Sequence, residues 1–195
     1  MSKENFILGL SGPSAIGKGY CKDRIKESFP NIFTEPIIVT TRPKRENDGI
    51  DRMAGISIND FFDMEKNNLI LFSHKPFGTD WYGFLTSSLE HNKGPILTEI
   101  HPENINPFKN KYGTRLVLLG LVANQDYLET NIRNRGTESE EIIKKRISAS
   151  VNENSKIEMF AENGLVDHLI EVTQNNRFNL DKIVINLTSE IITRK

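Results

Sequence analysis

At 195 residues, with 37% hydrophobic and 26% charged side chains, the chain has the composition of an ordinary globular protein with one well-buried core, and is short for two independent domains. The net charge of -1 and the lack of a long basic run exclude a non-specific nucleic-acid surface, so small molecules are the expected partners and nucleic acid is not. No stretch approaches a membrane span, and residues 1–6 show no basic segment leading into a long apolar one, so no membrane partner is expected. The lone Cys21 cannot form an internal disulfide; it reads as a buried, inert thiol, and a reducing cytoplasm as the location.

In chain order, apolar runs alternate with helical patterns in the manner of an α/β protein. Residues 6–10 read as a buried strand feeding a helix that begins after Lys18. A second strand is expected at 37–41, followed by a charged, turn-rich loop with Pro43, Asn47, Asp48 and Gly49. Between 55 and 84 the pattern changes to a small mixed lobe, in which Asn59 or Asp60 caps a short helix through about Lys66 and 69–72 forms a short strand. Strands return at 96–100 and 116–121, and consecutive helices follow at 124–134 and 137–162. In the second of these, Thr137 and Glu140 match a capping box, Ile143, Ile147 and Val151 form an apolar stripe, and Asn163-Gly164 is a stop signal. A last strand at 169–172 and a helix at 179–192 complete the pattern.

The chemistry concentrates in the first loop. Gly12, then Pro13, Ser14, Ala15 and Ile16, then Gly17-Lys18, follow a strand and open a helix, which is the context a Walker A loop requires. The glycines let successive N–H groups point inward, the helix N-terminus adds positive potential, and Lys18 supplies a mobile charge for terminal phosphates. The position after Lys18 would normally offer Mg²⁺ a hydroxyl; here it is Gly19, followed by Tyr20. Magnesium is then expected to rely on water, phosphate oxygens and a carboxylate, with Glu99 at a strand end as the candidate. Arg42 and Arg45 lie three residues apart in the charged loop, where guanidinium forks can grip a phosphate.

The segments GPSAIGKG, VTTRPKRENDGIDR, TDWYGF and RNRGTESEEIIKKR, in that order and spacing, resemble the guanylate kinase family over about residues 8–167. The resemblance implies one domain with an α/β fold. It comprises a P-loop three-layer core with a central parallel sheet (about 1–35, 94–123 and 161–195), a small inserted acceptor-binding lobe (about 36–93) and a helical lid (about 124–160). It further implies ATP with Mg²⁺, the ATP phosphates resting on residues 12–20. Arg42, Arg45 and Tyr82 match the grip on the acceptor phosphate, and Arg52 stands where a further phosphate-binding tyrosine is expected. In the lid, Arg135 and Arg146 match arginines that embrace the ATP phosphates in the transition state, completing a catalytic set with Lys18 and Arg42. Arg133 is an additional lid candidate.

The base-reading half departs from the family. A glutamate is expected nine residues before Tyr82, where Ser73 stands, and an aspartate two residues after Glu99, where His101 stands. Hydroxyls are expected near Ile38 and Phe84, both apolar. Ser73, Glu99 and His101 therefore become the acceptor-contacting candidates, in a pocket expected to have lost its preference for guanine. His101 is not expected to act as a general base, since a phosphate acceptor is already anionic. His74, His91 and His168 suggest no metal site. The expected function is ATP-dependent transfer to a small phosphorylated acceptor, GMP or another nucleotide. The alternatives are a sugar phosphate kinase acting on a ribose 1,5-bisphosphate-type acceptor, a non-catalytic guanylate-kinase-like binding module, and a regulator that binds ATP without transfer.

Overall fold

The computed structural model describes residues 5–46, 48–92, 94–134, 139–174 and 179–195. Strand β1 (Ile7–Ser11) is buried at every position, as a parallel strand covered on both faces must be. It is the second of four parallel strands. Two further strands of the lobe, β2 (Ile38–Thr40) and β3 (Arg52–Ala54), precede β4 (Ile70–His74) and β5 (Tyr82–Leu85). The central sheet then continues with β6 (Ile96–Glu99), β7 (Leu116–Val122) and β8 (His168–Glu171), in the order β6-β1-β7-β8.

Alternation along β1 and β7 assigns the two faces of this sheet. Leu8, Leu10, Leu119 and Leu121 join Cys21 and Ile25 of α1 (Lys18–Ser28) and Val184 and Ile191 of α7 (Leu180–Arg194). Ile7, Leu116 and Leu118 face the other way, against Phe108 of α4 (Ile105–Tyr112) and Ile157 of α6 (Glu140–Glu162). Helix, sheet and helix make three layers around one core, as the sequence implies. The close α6–β7 packing depends on Gly120, because a Cβ there would lie 2.8 Å from Val166 and 2.9 Å from Ile157.

The second sheet has the order β3-β2-β5-β4, with β2 parallel to β3 and antiparallel to β5. Helix α2 (Ile58–Lys66) covers one face through Phe61, packed with Val39 and Ile70, while Ile38, Leu71 and Phe84 turn toward the central core. A short α3 (Thr86–Glu90) leads back to β6, and α5 (Gln125–Asn134) precedes α6. No helix among the described residues is long and apolar enough to cross a membrane.

Several local expectations change. Helix α2 is capped by Ser57, whose Oγ accepts from the Asp60 N–H at 3.1 Å and donates to Asp60 Oδ2, rather than by Asn59 or Asp60 themselves. Helix α6 starts at Glu140 with Ser139 in the N-cap position; the capping box expected on Thr137 lies outside the described residues. Helix α4 was not foreseen. Its Pro107 occupies the first turn, where the missing N–H has no intrahelical partner to lose.

Gly120→Val is expected to destabilise the protein by about 1–3 kcal/mol through overpacking between β7 and α6. Gly94→Ala, whose added Cβ would meet nothing within 4 Å, is the neutral comparison, and urea unfolding of the two variants measures the contrast.

Candidate functional site

The loop after β1 emerges at the carboxyl edge of the sheet between β6 and β7, the place where open α/β sheets bind ligands. A Cβ on Gly12 would lie 2.6 Å from the Leu121 carbonyl oxygen, so the loop can pass β7 this closely only as glycine. Gly17 caps α1 with φ 110°, a conformation that an L side chain resists. Lys18 folds back, its Nζ donating to the carbonyls of Gly12 at 2.8 Å and Pro13 at 2.9 Å. One loop donor is engaged by an anion from within the chain: the Ser14 N–H donates to Glu153 Oε2 of α6 at 3.0 Å. The other oxygen of Glu153 lies 3.2 Å from His101 Nε2, so this carboxylate ties the loop to the wall after β6.

Gly19 leaves open space beside a carboxylate, with its virtual Cβ 3.7 Å from Glu99 Oε1. No group of three or more metal-ligating side chains occurs among the described residues. The donor set therefore suits Mg²⁺ held by one carboxylate, water and nucleotide phosphates, and does not suit a cage made by protein alone. Tyr20 is 49% exposed and packs under the Arg24 guanidinium at 5.6 Å, so its phenol does not replace the missing hydroxyl. It borders, with Gly17, Tyr127, Asn131 and Leu180, a second depression of about 330 Å³ beside the loop. Burial, aided by the nearby Glu99 charge, pushes the Cys21 thiol up to about 12, which makes it inert.

A cavity of about 260 Å³ runs from Gly12, Ser14 and Lys18 to Arg52, His74 and Tyr82 of the second sheet, with Glu99, His101 and Glu153 along its wall. Ile38 and Phe84 give it an apolar side. Arg42, only 6% exposed, stands just outside this lining. Its Nη2 donates to Asp48 Oδ1 at 2.7 Å and its Nη1 to the Pro43 carbonyl at 2.6 Å. Asp48 also accepts the Arg45 N–H at 2.8 Å and lies 3.8 Å from Arg52 Nε. The Arg42 hydrogen bond, followed by that backbone N–H, holds the Asp48 carboxyl below the usual carboxylate range. Asp48 thus organises three of the arginine positions, a role its appearance as a turn residue concealed. Arg45 itself has an exposed side chain outside the cavity lining.

Ser73 does not reach the cavity: it donates to Glu65 of α2, and His74 lines the cavity instead. The His74 ring stacks on His101, centroids 4.6 Å apart at 27°. Burial, reinforced by the neighbouring His101, lowers the His74 pKa to about 4. On α6, half-buried Arg146 precedes Glu153 by seven residues, close to two helical turns, and so shares its face. Arg135 lies outside the described residues. Arg133 pairs with Glu129 at 2.8 Å and Glu140 at 2.9 Å, bracing α5 against α6 at the surface.

His74 makes stability depend on pH. Its folded pKa of about 4 lies below its ordinary value of 6.5, so as pH falls from about 6.5 the unfolded chain gains a proton that the folded one refuses. Stability is fully present above that window and declines through it, by at most about 3 kcal/mol. Glu103 and Glu153 face the ring as well as His101, and they moderate the shift. Urea midpoints at pH 7 and pH 5 are expected to differ less for His74→Gln than for the parent chain.

A family model described as guanylate kinase matches residues 4–175. The guanylate kinase of Prochlorococcus marinus is 31% identical over 176 residues, covering 89% of this chain and 95% of that protein. That of Mycoplasmoides gallisepticum is 29% identical over 175 residues, covering 87% and 85%. The crystal structure of guanylate kinase from Anaplasma phagocytophilum superposes with a TM-score of 0.69 at 19% identity, over 98% of this chain and 86% of that one, and supports the fold. With its P-loop, its fold and these matches in agreement, the chain belongs to the guanylate kinase family and is a guanylate-kinase-like, ATP-dependent kinase.

Proposed function

We propose that the protein transfers the terminal phosphoryl group of ATP to the phosphate of a nucleoside monophosphate, with GMP, the acceptor of the relatives it resembles, as the reference acceptor. The observation that carries this reading is the single cavity that joins Lys18 and the P-loop to Arg52 and Tyr82. Two anionic phosphates brought into one enclosed space need cations around them more than they need an acid or a base. Lys18 and the loop N–H groups neutralise the donor phosphates. Arg52 and Tyr82 hold the acceptor phosphate from the cavity lining and Arg42 and Arg45 reach it from just outside, with Asp48 keeping Arg42 and Arg52 in place.

In this reading, the depression beside Tyr20, Tyr127 and Asn131 takes the nucleoside of ATP. The lid, about 124–160, lowers Arg135 and Arg146 onto the transferring group, where fixed positive charge is worth most once water is expelled. Core, lobe and lid divide the chain at the boundaries implied by its sequence. Glu99 would hold Mg²⁺ through water, and the ion would then neutralise charge on the phosphate oxygens. His101, with both ring nitrogens engaged, shapes the wall and moves no proton.

Lys18→Ala is expected to lower kcat/KM at least about 100-fold while leaving the melting temperature close to that of the parent chain. A coupled ADP-release assay with GMP measures this, and unchanged turnover would falsify the assignment. Gly19→Ser is expected to fit without strain beside Glu99 and to reduce the Mg²⁺ concentration needed for half-maximal turnover. A Mg²⁺ titration that does not move would separate Glu99 from the metal.

A further inference from the structure

Counting back from Tyr82 puts Ser73 at the position that reads the acceptor base in the family. The strand that carries it does not keep the count. In β4, Ile70 faces α2 while Leu71 faces the central core. Strict alternation would then send Phe72 back toward α2, Ser73 into the cavity and His74 out of it. Instead Phe72 adopts a left-handed φ of 56°, and the ladder to β5 shifts between Leu71 and His74. The extra residue inverts everything after it. Phe72 joins Leu71 on the core side, stacked 4.0 Å from Phe108, and Ser73 turns to Glu65 of α2. His74 enters the cavity opposite Tyr82.

The hydrogen bonds around the two stacked rings leave one atom available. His101 uses Nε2 on Glu153 at 3.2 Å, and its Nδ1 accepts the Glu103 N–H at 3.3 Å. In His74, Nδ1 lies 3.0 Å from the Asn104 side-chain amide and 3.3 Å from the Phe72 carbonyl, which already accepts from that amide at 2.8 Å; the shorter contact, to a donor, calls for a lone pair on Nδ1. The proton of the neutral ring is then on Nε2, which has no hydrogen-bond partner among the described residues. The Glu153 carboxylate on the same wall is already shared between Ser14 and His101.

We propose that His74, rather than Ser73, reads the end of the acceptor remote from its phosphate, donating a hydrogen bond from Nε2 to a carbonyl oxygen of a 6-oxopurine. This rests on the phosphoryl-transfer reading above. A single neutral donor recognises the carbonyl that guanine and hypoxanthine share. It offers nothing to the exocyclic amine that distinguishes guanine, and it penalises adenine, which presents an amine in place of the carbonyl. The acceptor class is therefore 6-oxopurine monophosphates, with IMP and GMP treated nearly alike.

Steady-state kinetics with saturating ATP test this on GMP, IMP and AMP. The parent chain is expected to use GMP and IMP within about tenfold of each other and AMP less well, as the gain or loss of one neutral hydrogen bond allows. His74→Ala is expected to raise the KM for GMP and IMP by a similar factor of about tenfold, with the KM for ATP little changed. His74→Gln, which retains a donor, should recover part of the loss, and Ser73→Ala should have the smaller effect. A preference for GMP over IMP of about a hundredfold or more, or a larger effect at Ser73 than at His74, overturns this assignment while leaving phosphoryl transfer intact. Failure of all three monophosphates to turn over removes the transfer reading, and this proposal with it.

Discussion

At the end of β1 the backbone of Gly12 runs so close to β7 that a Cβ would stand 2.6 Å from the Leu121 carbonyl oxygen. This backbone-to-backbone approach fixes the loop against the most deeply buried part of the molecule. Ile7, Leu8 and Leu10 are fully buried, each contributing on the order of 1.5–3 kcal/mol, so the loop inherits the rigidity of the sheet. From that anchor follow the start of α1, the direction of Lys18 and the proximity of Gly19 to Glu99. A phosphate site built on a mobile surface loop would have no such reference.

The charges of the site are arranged before any ligand arrives. Arg42 is nearly buried, and a guanidinium in that position is tolerable only because Asp48 and a carbonyl accept its hydrogens. Asp48 is therefore the means by which arginine can be stored beside the cavity. The same economy appears in the lobe, where Phe72 takes an unfavourable backbone angle and gains contact with Phe108 and Tyr112. Strain there is offset by aromatic packing, and the direction of the next two side chains changes as a result.

Much of the fold was legible because it depends on strong, local or periodic signals. The apolar runs around Leu8, Leu97 and Leu118, the glycine spacing at Gly12 and Gly17, and the Asn163-Gly164 stop each carry their own physical cause. What the sequence concealed depends on tertiary contacts or on single backbone angles. Helix α4 survives Pro107 because the proline falls in its first turn. The bulge at Phe72 is set by packing against Phe108, a residue 36 positions away in the chain, and no count along β4 could show it. Asp48 and Glu153 were likewise unremarkable as sequence, since their importance lies in which backbone N–H groups they meet.

Glu153 gives the P-loop a further property. Its carboxylate already holds the Ser14 N–H, so an incoming phosphate that uses this donor exchanges one anion for another instead of filling an empty cradle. The measured affinity for nucleotide is then a difference, the intrinsic attraction of the loop less the work of releasing Glu153. Because Glu153 is carried by α6, that release is linked to the position of this helix. By reciprocity, whatever draws the helix away from the loop strengthens phosphate binding there, and phosphate in the loop frees the helix to the same extent.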